Sequence, residues 1–428
     1  MQPVDRRTLV AALLVFLIAF GVRTAILAGM KPDETVPDIS EINNISLSVA
    51  RDGVFGNPYA AKTGPTAHSS PVYPSIKGGI YLLLGSGATG VTACNLLSIF
   101  IAAAESALLL ILAAYFGLPL FVGVVAGLAC ALLPIEFLTE LRSYEALSTV
   151  MLLGLTAITY RTYQENGFSF SRGILHGLGW GVLALTHPVF VLVMAAWLIA
   201  AFFVRRRNMA RAVWYAAGAL IAWSAVIAPW AIRNYRVLGE AVLFRSNFGI
   251  ELYNANNPDA QVTFHGYVTS HAHAALHPSG NAAAADRLRT IGEPAYGREC
   301  TRRAADWIKA NPAKFARLTL QRVAEFWFPS SSRRFQGLIL GAISLVGMMG
   351  LYTLWRVRPE AALLFFLTYA TFPLVYYVLN AEHRHSMPLQ PFLLLSATLF
   401  VWQRSPQIQE LLRASNPSTR PVGAVRFE

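Results

Sequence analysis

Stretches of about twenty apolar residues, the length a helix needs to cross a bilayer, recur from one end of this chain to the other. A backbone inside hydrocarbon must satisfy its own hydrogen bonds, which a helix does residue by residue. Only 14% of the 428 residues are charged, against about a quarter in a soluble domain. The pattern predicts an all-α polytopic membrane protein. Candidate spans are 8–29, 91–115, 118–135, 146–163, 173–187, 188–204, 212–231, 336–355, 361–380 and 386–402. That is a bundle of about ten transmembrane helices.

The net charge of +12 does not indicate nucleic acid, because the arginines sit at the ends of apolar runs and form no continuous stripe. Cys94, Cys130 and Cys300 include two within apolar runs and have no metal-type spacing, so neither a disulfide framework nor a cysteine metal site is expected. Arg6 and Arg7 precede the first run, which is too long for a signal peptide and lacks a small-x-small cleavage site. It reads as an uncleaved first transmembrane helix.

The segment 72–85, VYPSIKGGIYLLLG, is apolar but short and carries Lys77. If it does not span, Arg161, Arg172, Arg205, Arg206, Arg207, Arg211, Arg356, Arg358 and the tail arginines all fall on the cytoplasmic side, as the positive-inside rule requires. If it spans, they fall outside. It is therefore expected to be a re-entrant or interfacial helix on the outer face. Residues 1–232 then form an N-terminal transmembrane module with a first outer loop at 30–90. Residues 233–335 form an outer helical loop, 336–402 the last transmembrane helices, and 403–428 a cytoplasmic tail.

The unusual polar residues gather on the outer face. They are Asp33, Glu34, Asp38, Glu41, His68, Tyr73, Glu136, Glu140, Arg142, Glu145, His187, Arg233, Glu382, His383, Arg384 and His385. Carboxylates and cations at one interface suggest a site for a charged lipid headgroup, although interfacial charge also simply solvates loops. Glu105 lies within a span, as a functional group or a helix contact. Arg23 lies within snorkelling reach of the outer interface. His265, His271, His273 and His277 could hold zinc or form an ordinary exposed loop.

Several segments resemble a known family. DISEINNISLSVARDGVFGNPY carries an acidic residue, Asp38, followed at the family's spacing by Ile45 and Ser46. PTAHSSPVYP, LRSYEALSTVMLL, LALTHPV, APWAIRNYRVLG, RSNFGIELYNANNP and EHRHSMPLQPFLLL follow in the family's order. Together they resemble the bacterial GT-C membrane glycosyltransferases related to protein O-mannosyltransferases and the lipid A aminoarabinose transferase. LALTHPV departs from that pattern, with His187 where relatives usually carry Lys or Arg.

The resemblance implies a GT-C helical bundle in the bacterial cytoplasmic membrane with its active site on the extracytoplasmic face. It implies inverting transfer of a sugar from a polyprenyl-phosphate donor to a glycan, lipid or protein acceptor. Such a displacement needs a base and a stabiliser of the departing phosphate. Asp38 is expected as the base. Glu145 would orient the acceptor or share that role, and Glu41 would share a helix face with Asp38. Arg384, flanked by His383, is the expected phosphate ligand, with His187 and Arg233 next. His68 and Tyr73 complete the candidate site, and no metal cofactor is expected. The alternatives are a transporter of lipid-linked sugar and a non-catalytic prenyl-phosphate binder.

Overall fold

A computed structural model describes residues 5–30, 40–133, 137–204, 209–263, 266, 276–330, 334–407 and 409–410. Asp33, Glu34, Asp38, Glu136, His265, His271 and His273 lie outside these residues, as do Arg205, Arg206, Arg207 and most of the tail. The described chain is helical, with one isolated bridge, Gly56 to Pro65, and no strand among the described residues. It is an all-α polytopic membrane protein.

Helices occupy all ten predicted segments. They are α1 (Arg6–Gly29), α4 (Ala88–Tyr115), α5 (Leu120–Leu132), α7 (Glu145–Gln164), α8 (Phe170–Thr186), α9 (Phe190–Val204) and α10 (Met209–Leu238). After them come α15 (Arg334–Val357), the broken pair α16 (Pro359–Thr371) and α17 (Leu374–Val378), and α19 (Gln390–Gln403). Five are long and apolar enough to cross a membrane on their own, over Arg6–Gly29, Ala88–Tyr115, Met209–Leu238, Phe335–Val357 and Pro359–Val378. The others fall short of that standard. α5, for example, stops at Leu132, just before Pro134.

The segment after Pro71 forms α3 (Val72–Leu84). Its thirteen residues cover about 20 Å, short of a hydrocarbon core of about 30 Å. It packs on α2 (Glu41–Asp52), where a Cβ on Gly78 would stand 2.7 Å from Val49 Cγ1. Leu82 and Leu83 at its far end remain exposed.

Two kinds of surface hold the bundle. Outward leucines such as Leu13, Leu17 and Leu338 are exposed, as lipid-facing positions are. Inside, Phe116, Tyr160, Phe190, Phe365, Phe372 and Phe392 form an aromatic core. Without a hydrophobic force between helices in lipid, close backbone approach must hold them. α8 and α10 achieve it with Gly173 and Gly177, whose Cβ atoms would stand 2.1 Å from Tyr215 O and 2.1 Å from Ala219 O respectively.

The remaining helices gather at one end of the bundle. They are α2, α3, α6 (Phe137–Arg142), α11 (Phe248–Ala255), α12 (Ala282–Ile291), α13 (Glu293–Ala310), α14 (Pro312–Trp327) and the short α18 (His383–Ser386). A buried ion pair fastens α6 there. Arg23 Nε meets Glu140 Oε2 at 2.8 Å, and Arg23 Nη1 donates to Ala131 O at 3.0 Å. Arg23 is thus a buried tie rather than a snorkelling anchor. It also satisfies carbonyls left open at the end of α5.

Candidate active site

The end that collects the short helices also collects the charge. Ser40 caps α2 by accepting from Asn43 N, which places Glu41 in the first turn. Glu41 Oε2 lies 2.9 Å from His68 Nε2, and Glu41 Oε1 lies 3.6 Å from His277 Nε2. The other nitrogen of His68, Nδ1, is 3.0 Å from Tyr59 Oη. His277 Nδ1 is 2.6 Å from Ser279 Oγ. Burial alone would raise the Glu41 carboxyl. The charge and hydrogen bond of His68, with His277 and Arg245 beyond, hold it well below the usual carboxylate range. Burial opposes charge on His68, yet Glu41 raises it above the ordinary histidine value.

The PTAHSS segment that carries His68 is pinned from several sides. Glu293, at the start of α13, accepts from Ala67 N at 2.8 Å and from the hydroxyls of Thr66 and Ser246. Arg233 donates to Thr66 O and to Phe55 O, each at 2.6 Å, with its guanidinium over the Trp230 ring. This revises the expectation that Arg233 meets a donor phosphate. Its fork is occupied by backbone carbonyls, and it secures the loop instead.

Arg245 joins this group to a second one. Its Nε donates to His68 O and its Nη1 to Tyr144 Oη, both at 3.0 Å. Tyr144 precedes Glu145, the first residue of α7. Glu145 is 3% exposed, and its Oε2 has no hydrogen-bond partner. Burial pushes the Glu145 carboxyl up to about 7, against the charge of Arg384, a hydrogen bond to its own backbone and then the charge of Arg245. Arg384 itself pairs with Glu382 at 2.8 Å. Glu251 of α11 completes the group. Burial and the Glu41 charge raise it, against His68, Arg245 and Arg384.

His187 ends α8 and packs edge-on against Tyr144. Its Nε2 is 2.7 Å from Tyr376 Oη and its Nδ1 3.4 Å from Ser148 Oγ. Buried at 3% exposure, with hydroxyls at both nitrogens, it sits as a polar joint and not as a cation aimed at phosphate. His385 stacks on Tyr376 with ring centroids 4.2 Å apart. Burial, with Arg384, His187 and His383 around it, pushes His385 well below the ordinary histidine value. His383 is half-buried next to Arg384. Tyr73 lies elsewhere, because its hydroxyl reaches Ser98 Oγ at 3.1 Å and Leu141 O at 3.4 Å. It therefore ties α3 to α4 and α6 rather than joining the charged group.

Glu41, Glu145, His68, His187 and Arg384 thus fall within one connected region. Asp38 lies outside the described residues, two positions before the cap of α2. Sequence reasoning missed Arg245, Glu251, Tyr144 and Tyr376. Arg245 and Glu251 lie within RSNFGIELYNANNP, where the sequence offers no sign of what either side chain meets. Among the described residues, no group of three or more His, Cys, Asp or Glu side chains is arranged to hold a metal ion.

No protein-family model matches the chain, and no curated protein matches it. Solved structures do match its fold. The archaeal oligosaccharyltransferase AglB from Archaeoglobus fulgidus, in complex with an inhibitory peptide and a dolichol-phosphate, aligns with a TM-score of 0.59 at 12% identity. That alignment covers 98% of this chain and 53% of that one. The apo form of the Archaeoglobus fulgidus oligosaccharyltransferase aligns at 0.58 and 12% identity, over 97% and 53%. Its complex with Zn and sulfate aligns at 0.54 and 12% identity, over 95% and 50%. The chain therefore spans about half the length of these structures, and at this identity the likeness is one of fold.

Proposed function

We propose that the protein is a glycosyltransferase that moves a sugar from a polyprenyl-phosphate donor to an acceptor at the outer face of the bacterial cytoplasmic membrane. The observation that carries this reading is the buried Glu145, one of whose carboxyl oxygens has no hydrogen-bond partner, under the charges of Arg384 and Arg245 at one end of the helical bundle. The oligosaccharyltransferase solved with a dolichol-phosphate supports a lipid-phosphate donor by likeness of fold.

In the proposed reaction an acceptor hydroxyl attacks the anomeric carbon. The bond from that carbon to the phosphate oxygen breaks, and its electron pair leaves on the lipid phosphate. The hydroxyl proton passes to a carboxylate. Asp38 is proposed as this base on its place in the sequence, two positions before the cap of the helix that carries Glu41. Glu145 orients the acceptor hydroxyl. Arg384 and Arg245 meet the growing charge on the phosphate with forked guanidinium groups. These two arginines supply the positive charge, and the proposed transfer uses no metal. A glycan or lipid is the proposed acceptor class.

The test is transfer of labelled sugar from a panel of polyprenyl-phosphate donors, comparing wild type, Asp38→Asn and Glu145→Gln, with and without EDTA. Transfer by wild type alone, unchanged by EDTA, supports the full reading. Equal transfer by Asp38→Asn removes that residue as the base. Loss of transfer in EDTA overturns metal independence. Movement of intact donor across liposomes without sugar transfer replaces the enzyme reading with a transporter.

A further inference from the structure

The opposite end of the bundle holds a second site. α4, α7 and α8 line an open groove of about 510 Å³. Leu108, Leu112, Leu153 and Leu175 form its apolar wall, and Tyr115, Arg161 and Arg172 form its polar end. Arg161 is on the last turn of α7 and Glu145 on its first, so the two are about 24 Å apart along the helix axis at 1.5 Å per residue. The cavity is therefore no part of the candidate active site. Leu175 is 55% exposed, so the cavity opens towards the surrounding lipid.

The polar end carries excess positive charge in a fixed arrangement. Arg161 Nε meets Glu165 Oε1 at 2.9 Å, and Arg172 Nη2 meets Glu165 Oε2 at 3.0 Å. Two guanidinium groups share one carboxylate, which leaves one positive charge unmatched among the three. Arg172 Nη1 is buried with no hydrogen-bond partner. Gly167 makes room for this head, since a Cβ there would stand 1.6 Å from Arg172 Nη1.

The apolar part is also kept open. Gly154 lines it from the middle of α7, where glycine disfavours the helix. A Cβ at Gly154 would meet nothing within 4 Å, so no neighbouring helix requires the glycine. The space beside it belongs to the groove.

We propose that this groove binds one anionic glycerophospholipid. An acyl chain lies along Gly154 and the leucine wall, and the phosphate rests between Arg161 and Arg172. A forked guanidinium suits phosphate oxygens, and a basic cluster at a membrane surface attracts anionic lipid.

The test is native mass spectrometry of the full chain titrated with phosphatidylglycerol, phosphatidylcholine or a polyprenyl monophosphate. Wild type should hold one phosphatidylglycerol about tenfold more tightly than phosphatidylcholine. Arg161→Gln with Arg172→Gln should erase that preference. Gly154→Leu should weaken both phospholipids by filling the groove, and its melting temperature reports whether it folds. An unchanged preference in the arginine variant, wild-type binding by a folded Gly154→Leu, or preferential retention of the polyprenyl monophosphate would overturn the proposal.

Discussion

His68 Nε2 lies 2.9 Å from Glu41 Oε2, with His68 fully buried and the Glu41 side chain 32% exposed. The pair joins the start of α2 to the PTAHSS segment. Because His68 Nδ1 faces Tyr59, the imidazole is held at both nitrogens. This contact fixes where the first loop returns to the bundle.

The contact has a pH window. His68 is raised, so its share of the stability is full below about 6.5 and is lost as pH rises through the raised folded value. Glu41 is lowered, so its share is full above about 4.3 and is lost only as pH falls through the lowered folded value. His68→Asn should destabilise by about 1.5–3 kcal/mol at pH 6, the range for a hydrogen bond to a charged group. Its melting deficit should shrink as pH rises past the histidine transition. An equal deficit at pH 6 and pH 9 would contradict the ion pair.

Arg384 and Glu145 should matter for turnover more than for folding. Arg384→Lys keeps the charge and loses the fork, so transfer should fall by about tenfold to a hundredfold, with Arg384→Gln lower still. Glu145→Gln keeps the shape and should cost about a hundredfold or more. The readout is initial rate beside donor affinity, with melting temperature as the folding control.

Glu140→Ala strands the buried Arg23 guanidinium and should cost about 3–5 kcal/mol. Replacing both partners together, Arg23→Met with Glu140→Leu, should recover much of that loss. A double-mutant cycle on melting would show it, and simple additivity would count against the pair.

Two glycines give opposite expectations. At Gly177 an added Cβ meets Ala219 O at 2.1 Å, so Gly177→Ala should cost about 1–3 kcal/mol by forcing α8 from α10. At Gly154 an added Cβ meets nothing within 4 Å, so Gly154→Ala should be neutral or stabilise by about 1 kcal/mol. Parallel thermal denaturation of the two variants separates them.

Much of the membrane architecture was legible because it depends on local properties. A run of apolar residues must form a helix in lipid whatever surrounds it, and each of the ten predicted segments holds one. The short segment after Pro71 was legible for the same reason, since length and Lys77 already set it apart. Glu145, His187 and Arg384 stood out because charge or a polar ring at the end of an apolar run is visible in one dimension.

What each polar residue does was decided by contacts across the chain. Arg233 and Arg245 are the same residue type on the same stretch of sequence. One is occupied by the carbonyls of Phe55 and Thr66, while the other bridges His68 and Tyr144. Tyr376 reads as an ordinary membrane aromatic until the fold brings its hydroxyl to His187, 189 residues away. Hydropathy follows from composition, so the sequence by itself determined which segments form apolar helices. Hydrogen bonds and ion pairs depend on atoms brought together from distant segments, so only the tertiary structure decided which polar groups face one another.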